Sequence, residues 1–128
     1  MKHPYAQQGR AVGQRLAALS RPGDTVIAVS EDVGDPIAVY YSRQRGWVFP
    51  PGGGESGWDR LRADGAGRAD LDRLRAAGAD WFGVAREAED SRGNRFLDHQ
   101  AALVAYLDGS GRRVVDDPQM VIWRLSPR

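Results

Sequence analysis

The chain has 128 residues, no cysteine, and 18 basic against 17 acidic side chains, which gives a formal net charge of +1. This length predicts one domain. The lack of cysteine excludes disulfides, thiolate metal sites and cysteine nucleophiles, and the balanced charge gives no reason to expect nucleic acid as a partner. No apolar run approaches the roughly 20 residues that cross a bilayer, and the N-terminal segment MKHPYAQQGR lacks a signal-peptide core, so we expect a soluble chain.

The N-terminal part of the sequence predicts a helix followed by a buried strand. Val12, Leu16 and Leu19 recur at helical spacing and predict an amphipathic helix over 7–20. Thr25–Val29 is a short apolar run rich in β-branched residues, which is typical of a strand buried on both faces.

The next segment, DPIAVYYSRQRGWVF, has strand propensity but carries the flanking residues of a helix. Asp35 can cap a helix, and Gly46 suits the position after the last turn. We predict a helix over about 36–45, with Tyr40 and Tyr41 packed on the sheet, and then a strand at Trp47–Phe49.

The second half of the chain continues the alternation of helices and strands. We predict helices over 68–77 and 95–108, a strand over 80–85, and a terminal hairpin of strands over 112–117 and 120–125. In the helix over 95–108, Leu97, Ala101 and Val104 are expected to face the core, with Gly109 after its end. This order predicts a three-layer α/β/α, Rossmann-like domain with a mainly parallel sheet in the order 2-1-3-4-5, its last strand antiparallel.

The glycine-rich segment 50–67 predicts a long mobile loop, in which Trp58 is a candidate contact residue. Its three consecutive glycines are not followed by the Lys and Ser/Thr of a phosphate-binding loop, and the first strand lacks the dinucleotide fingerprint. His3 and His99 are the only histidines, and no Gly-x-Ser-x-Gly motif occurs. We therefore expect no metal site, no cofactor and no catalytic residue.

Charged side chains follow two of the predicted parallel strands, at the edge of the sheet where open α/β folds bind ligands. The candidate ligand-binding residues are Ser30, Glu31, Asp32, Asp35, Arg86, Glu87 and Asp90, together with Trp58. Their oxygens suit sugar hydroxyls, an amino group or a divalent cation. The alternative is that these loops are simply solvated, with Asp35 acting as a helix cap.

Three segments, GDTVIAVSEDVGDPIAVYYSRQRGW, LDRLRAAGADWFGVA and MVIWRL, carry a resemblance that spans residues 23–125. They are similar to the C-terminal extracytoplasmic domain of bacterial membrane glycosyltransferases related to protein O-mannosyltransferases and aminoarabinose transferases. Tyr40-Tyr41, Arg43 and Arg45-Gly46-Trp47 are its most specific part.

The resemblance implies a non-catalytic accessory domain, cut from the C-terminal end of a longer polytopic protein that uses a polyprenyl-phosphate-linked sugar. The implied location is the periplasmic face of the cytoplasmic membrane. The implied partners are the membrane portion of the same polypeptide and a sugar or lipid-linked acceptor. The catalytic carboxylate of that family matches no position here. The alternative is a free-standing α/β module, or a small enzyme, that uses the acidic crevice.

Overall fold

The structure, a computed structural model, describes residues 4–29, 37–49, 66–86, 96–97 and 100–125. Its elements in chain order are α1 (Pro4–Leu19), β1 (Thr25–Val29), α2 (Ile37–Ser42), β2 (Arg45–Phe49), α3 (Ala66–Ala76), β3 (Trp81–Ala85), α4 (Ala101–Ser110), β4 (Gly111–Asp116) and β5 (Met120–Leu125). They form an α/β fold with an open, mixed, five-stranded sheet. The predicted alternation of helices and strands is confirmed. Residues 50–65 of the predicted loop lie outside the described part.

The strand order is β2-β1-β3-β5-β4. The predicted order 2-1-3 of the first three strands is confirmed, and β1 pairs in parallel with both neighbours. The predicted order of the last two strands is wrong, because β5 lies between β3 and β4 and is antiparallel to both. Two of the four pairings are therefore antiparallel, so the prediction of a mainly parallel sheet is also wrong.

The position of β5 follows from its side chains. All residues of β5 except Arg124 are buried, whereas β4 buries only Val115. A strand with charged, exposed side chains suits the edge of a sheet, and an apolar strand suits its interior. The hairpin is held by Asp117, whose carboxylate accepts the backbone N–H groups of Gln119 at 2.8 Å and Met120 at 2.9 Å.

Helices cover both faces of the sheet. Val26 and Ala28 of β1 pack in a cluster with residues of α1 and α2. Ile27 and Val29 point to the other face and pack in a cluster with residues of α3 and α4. This alternation is what a strand buried on both sides requires, and the predicted β1 is confirmed with its bounds.

The first helix lies close to the middle of the sheet because Gly83 of β3 has no side chain. A Cβ at Gly83 would lie 2.9 Å from a methyl group of Val12 and 3.3 Å from one of Leu16. Both residues are buried, but Leu19, the third residue of the predicted apolar face, is 37% exposed. Leu19 is the last residue of α1.

The second helix is shorter than predicted and packs differently. It ends at Ser42, and Arg43 adopts a left-handed backbone conformation with φ of 59°, so Arg43 rather than Gly46 makes the turn into β2. Tyr40 is 74% exposed, so the predicted packing of both tyrosines on the sheet is wrong. Tyr41 is half-buried, with the guanidinium of Arg10 5.2 Å from its ring centre.

The predicted inner face of α4 is confirmed in part. Leu97 and Val104 are partly buried and pack against the core as predicted, but Ala101 is exposed. The buried residues are Leu103, Leu107 and, upstream, Phe96. The bulkier side chains have more apolar surface to remove from water, and this decides which side faces the sheet. The helix also continues through Gly109 to Ser110. Among the residues that the structure describes, no helix combines the length and apolarity needed to cross a membrane.

Candidate functional site

The predicted crevice lies where the chain leaves β1 and β3. These strands are parallel neighbours, so residues after Val29 and after Ala85 depart from the same edge of the sheet. Of the eight predicted ligand-binding residues, the described part contains Arg86. The others, Ser30, Glu31, Asp32, Asp35, Trp58, Glu87 and Asp90, lie outside it, so the crevice stays a prediction.

Arg86 is bonded to the terminal hairpin. Its backbone N–H donates to the carbonyl of Gln119 at 2.8 Å, and its guanidinium donates to the carboxylate of Asp116 at 2.9 Å. Asp116 also accepts from Arg113 at 2.9 Å. Arg86 therefore ties the end of β3 to the β4–β5 hairpin, and its buried Nε has no hydrogen bond within the described part of the chain.

The motif Tyr40-Tyr41, Arg43 and Arg45-Gly46-Trp47 spans the end of α2, the turn after it and the start of β2. Ser42, buried at the end of α2, donates to the carbonyl of Val39 at 2.6 Å and accepts the N–H of Gln44 at 3.1 Å. A Cβ at Gly46 would collide with the carbonyl oxygen of Val26 and lie 2.7 Å from its methyl group. This turn is therefore built for close pairing of β2 with β1.

A cavity of about 260 Å³ opens beside this turn, at the amino ends of β1 and β2. It is lined by Thr25, Arg45, Gly46, Trp47 and Ala77. Thr25 begins β1, and Ala77 follows the last residue of α3. The cavity thus lies at the amino ends of the parallel strands, opposite to the carboxyl ends where the crevice is predicted.

Arg45 and Trp47 supply hydrogen-bond donors at this cavity. They are two residues apart on β2, so both side chains lie on the same face of the sheet. Arg45 is exposed, and Trp47 is half-buried against the cluster under α3 and α4. Neither the guanidinium of Arg45 nor the indole N–H of Trp47 has a hydrogen-bond or ion-pair partner among the described residues.

Thr25 contributes the oxygen at the cavity. Its hydroxyl donates to the carbonyl of Gly78 at 2.6 Å, which leaves the lone pairs of that oxygen able to accept. Its backbone N–H is bound by the carboxylate of Asp80 at 2.9 Å. These bonds fix Thr25 relative to the end of α3.

The two other tryptophans in the described part donate hydrogen bonds to carboxylates. The indole N–H of Trp123 donates to Asp108 at 2.8 Å, and Arg113, which pairs with the same carboxylate at 2.8 Å, lies over the indole. The hydrogen bond from Arg113 holds the pKa of Asp108 below its usual value and outweighs the opposing effect of partial burial.

Trp81 forms a second cluster of the same kind on the other face. Its indole N–H donates to Asp24 at 3.0 Å, and Arg124 lies over its ring, 4.8 Å from the centre. Partial burial opposes ionisation of Asp24, but hydrogen bonds from Arg21 and Trp81 and the charge of Arg124 together lower its pKa. These carboxylates are occupied in structural bonds.

No group of three or more His, Cys, Asp or Glu side chains that could hold a metal occurs within the described part of the chain. His3 and His99 lie outside it. The cavity was not predicted, because residue 45 was assigned to the end of the predicted helix and only Trp47 to the predicted strand, whereas β2 begins at Arg45. Comparison with models of known protein families, with curated proteins and with solved structures finds no match to this chain.

Proposed function

We propose that the chain is a non-catalytic, extracytoplasmic accessory domain of a bacterial membrane glycosyltransferase that uses a polyprenyl-phosphate-linked sugar. Its partner is the membrane portion of the same polypeptide. In this proposal the helices on both faces of the sheet make a three-layer, Rossmann-like arrangement, and the domain lies on the periplasmic side of the cytoplasmic membrane.

One observation carries the non-catalytic part of the proposal. Two of the most specific residues of the resemblance have structural roles, because Arg43 makes the turn after α2 in the left-handed conformation and Gly46 allows close strand pairing. The fold explains this part of the motif without catalytic chemistry. This supports a domain whose task is to cover, or to admit substrates to, an active site carried elsewhere.

The proposal predicts that the chain alone neither transfers nor hydrolyses sugars. Incubating it with polyprenyl-phosphate-linked sugars and simple acceptors is expected to give no turnover above a blank without protein. Turnover that disappears on changing one carboxylate of this chain would contradict the proposal, because it would place the chemistry within these residues.

The second candidate is a free-standing ligand-binding module or small enzyme. The parallel pairing of β1 with β3 favours it, because the carboxyl ends of the two strands then lie side by side, and ligands bind at such ends in open α/β sheets. In this alternative the acidic crevice binds a divalent cation, an amino group or sugar hydroxyls. Titration with Ca²⁺, Mg²⁺ and an amino sugar distinguishes it, since the accessory domain is expected to show no saturable response at that edge.

A further inference from the structure

The cavity at the amino ends of β1 and β2 has hydrogen-bond donors that no described residue bonds, beside the fixed hydroxyl oxygen of Thr25. We propose that this cavity binds a small hydroxylated anion, one ring in size, with Arg45 and Trp47 donating to its anionic group and Thr25 accepting from a hydroxyl. The proposal goes beyond the proposed function and does not depend on it, because the site is formed by this chain alone.

The two donors at the cavity indicate that the ligand is negatively charged. Arginine stays charged at any working pH and matches the paired oxygens of a phosphate or carboxylate. The guanidinium of Arg45 forms no ion pair within the described part of the chain, unlike those of Arg73, Arg86, Arg113 and Arg124. The indole N–H of Trp47 adds a second donor on the same side of β2. Because no described residue bonds these two donors, a bound ligand can supply the acceptor.

The remaining lining favours hydroxyl groups over negative charge. Ala77 follows the carboxyl end of α3, where the helix dipole carries partial negative charge that opposes any anion, so in this proposal the anionic group has to be held by Arg45. The same partial charge attracts hydroxyl protons, and Thr25 offers an oxygen fixed by its bond to Gly78. Hydroxyl groups on the ligand therefore complete the hydrogen bonding.

The size of the cavity and its aromatic wall favour a single ring. A volume of about 260 Å³ lies just below the range of pockets that hold drug-sized molecules. The indole of Trp47 offers an apolar surface against which one ring can pack. A sugar phosphate and a sugar acid both present this shared chemistry, and the test below separates them.

The test is a titration of the isotope-labelled chain, followed by amide chemical shifts, with four probes. These are a hexose 1-phosphate, a hexuronate, the neutral hexose and inorganic phosphate. With one or both anionic sugars we expect saturable shifts, centred on Thr25, Arg45, Gly46, Trp47 and Ala77. The neutral hexose and inorganic phosphate, which each lack part of the proposed ligand, are expected to bind more weakly. The tighter anionic sugar identifies whether the natural group is a phosphate ester or a carboxylate.

Matched variants assign the binding to the donors. Arg45→Gln removes the charge at an exposed position and is expected to weaken the tighter anionic sugar about tenfold or more. Trp47→Phe keeps the ring but removes the N–H and is expected to weaken binding less. Arg15→Gln, at an exposed position on α1, is the control and is expected to bind like the unchanged chain.

Three results would overturn the proposal. The first is the absence of saturable shifts at the cavity with both anionic sugars in the millimolar range. The second is unchanged affinity in Arg45→Gln when its amide spectrum shows an intact fold. The third is inorganic phosphate binding as tightly as the sugar phosphate, which would remove any role for the hydroxylated ring.

Discussion

Replacing Gly13 by alanine tests the contact between α1 and α2. Helix propensity alone predicts that this change stabilises the protein by up to about 1 kcal/mol, because glycine is a poor residue within a helix. The structure predicts the opposite sign. A Cβ at Gly13 would collide with the carbonyl oxygen of Ala38, lie 2.7 Å from the Cβ of Tyr41 and 3.1 Å from the backbone nitrogen of Ser42.

The atoms in the way are backbone and Cβ atoms, which cannot rotate aside, so α2 as a whole has to shift. Overpacking of this kind costs about 1 to 3 kcal/mol. After the gain in propensity, we expect Gly13→Ala to lower the free energy of unfolding by about 1 to 2 kcal/mol. Urea denaturation followed by tryptophan fluorescence measures this change.

Gly109→Ala is the matched control, because Gly109 is also helical and a Cβ there would meet no atom within 4 Å. It is expected to leave the protein as stable or to stabilise it by up to about 1 kcal/mol. Gly13→Ala should therefore be less stable than Gly109→Ala by about 1 to 3 kcal/mol. A Gly13→Ala protein as stable as the unchanged chain would refute the close contact between the helices.

Two further predictions concern α4 and its surroundings. The pKa of Asp108 is lowered in the fold, so its contribution to stability is present above the ordinary aspartate pKa and is lost as pH falls through the lowered value. Acid unfolding of Asp108→Asn should therefore depend less steeply on pH than that of the unchanged chain; identical acid profiles would count against the bonds from Arg113 and Trp123. Leu107→Ala, at a fully buried position, should cost about 2 to 5 kcal/mol in urea denaturation. Val104→Ala should cost about 1 kcal/mol or less. A larger loss of stability in Val104→Ala than in Leu107→Ala would show that Val104 is the more deeply buried of the two.

Local signals in the sequence predicted most elements of the fold. The apolar run of β1 is buried from Val26 to Val29, as its composition indicates. Gly78, which follows the helix predicted over 68–77, has φ of 108°, which a residue with a side chain rarely adopts. Such features depend on residues adjacent in the chain and can therefore be read from it.

The errors arose where packing chooses between local alternatives. A hairpin can place either of its strands next to β3, and the exposed charges of β4 against the buried side chains of β5 decide the order. The turn after α2 uses Arg43 in a conformation that glycine usually takes, although Gly46 is three residues away. Gly46 is instead required by the neighbouring strand.

The cavity was harder to predict than the strands that form it. Thr25, Trp47 and Ala77 meet only because β2 pairs with β1 and α3 ends beside them. Arg45 was assigned to the predicted helix over about 36–45, so the face that it shares with Trp47 on β2 was not predicted either. The acidic crevice, in contrast, was predicted from charge and topology, and that topology of β1 and β3 is confirmed.

We propose above that this chain is part of a longer membrane protein, and the size of the native polypeptide distinguishes this from a free-standing protein. An antibody raised against the purified chain would be used on membrane and soluble fractions of the native cells. We expect a band far above 14.0 kDa in the membrane fraction, released by detergent but not by high salt. A band at 14.0 kDa found only in the soluble fraction would show that the chain is not part of such a protein.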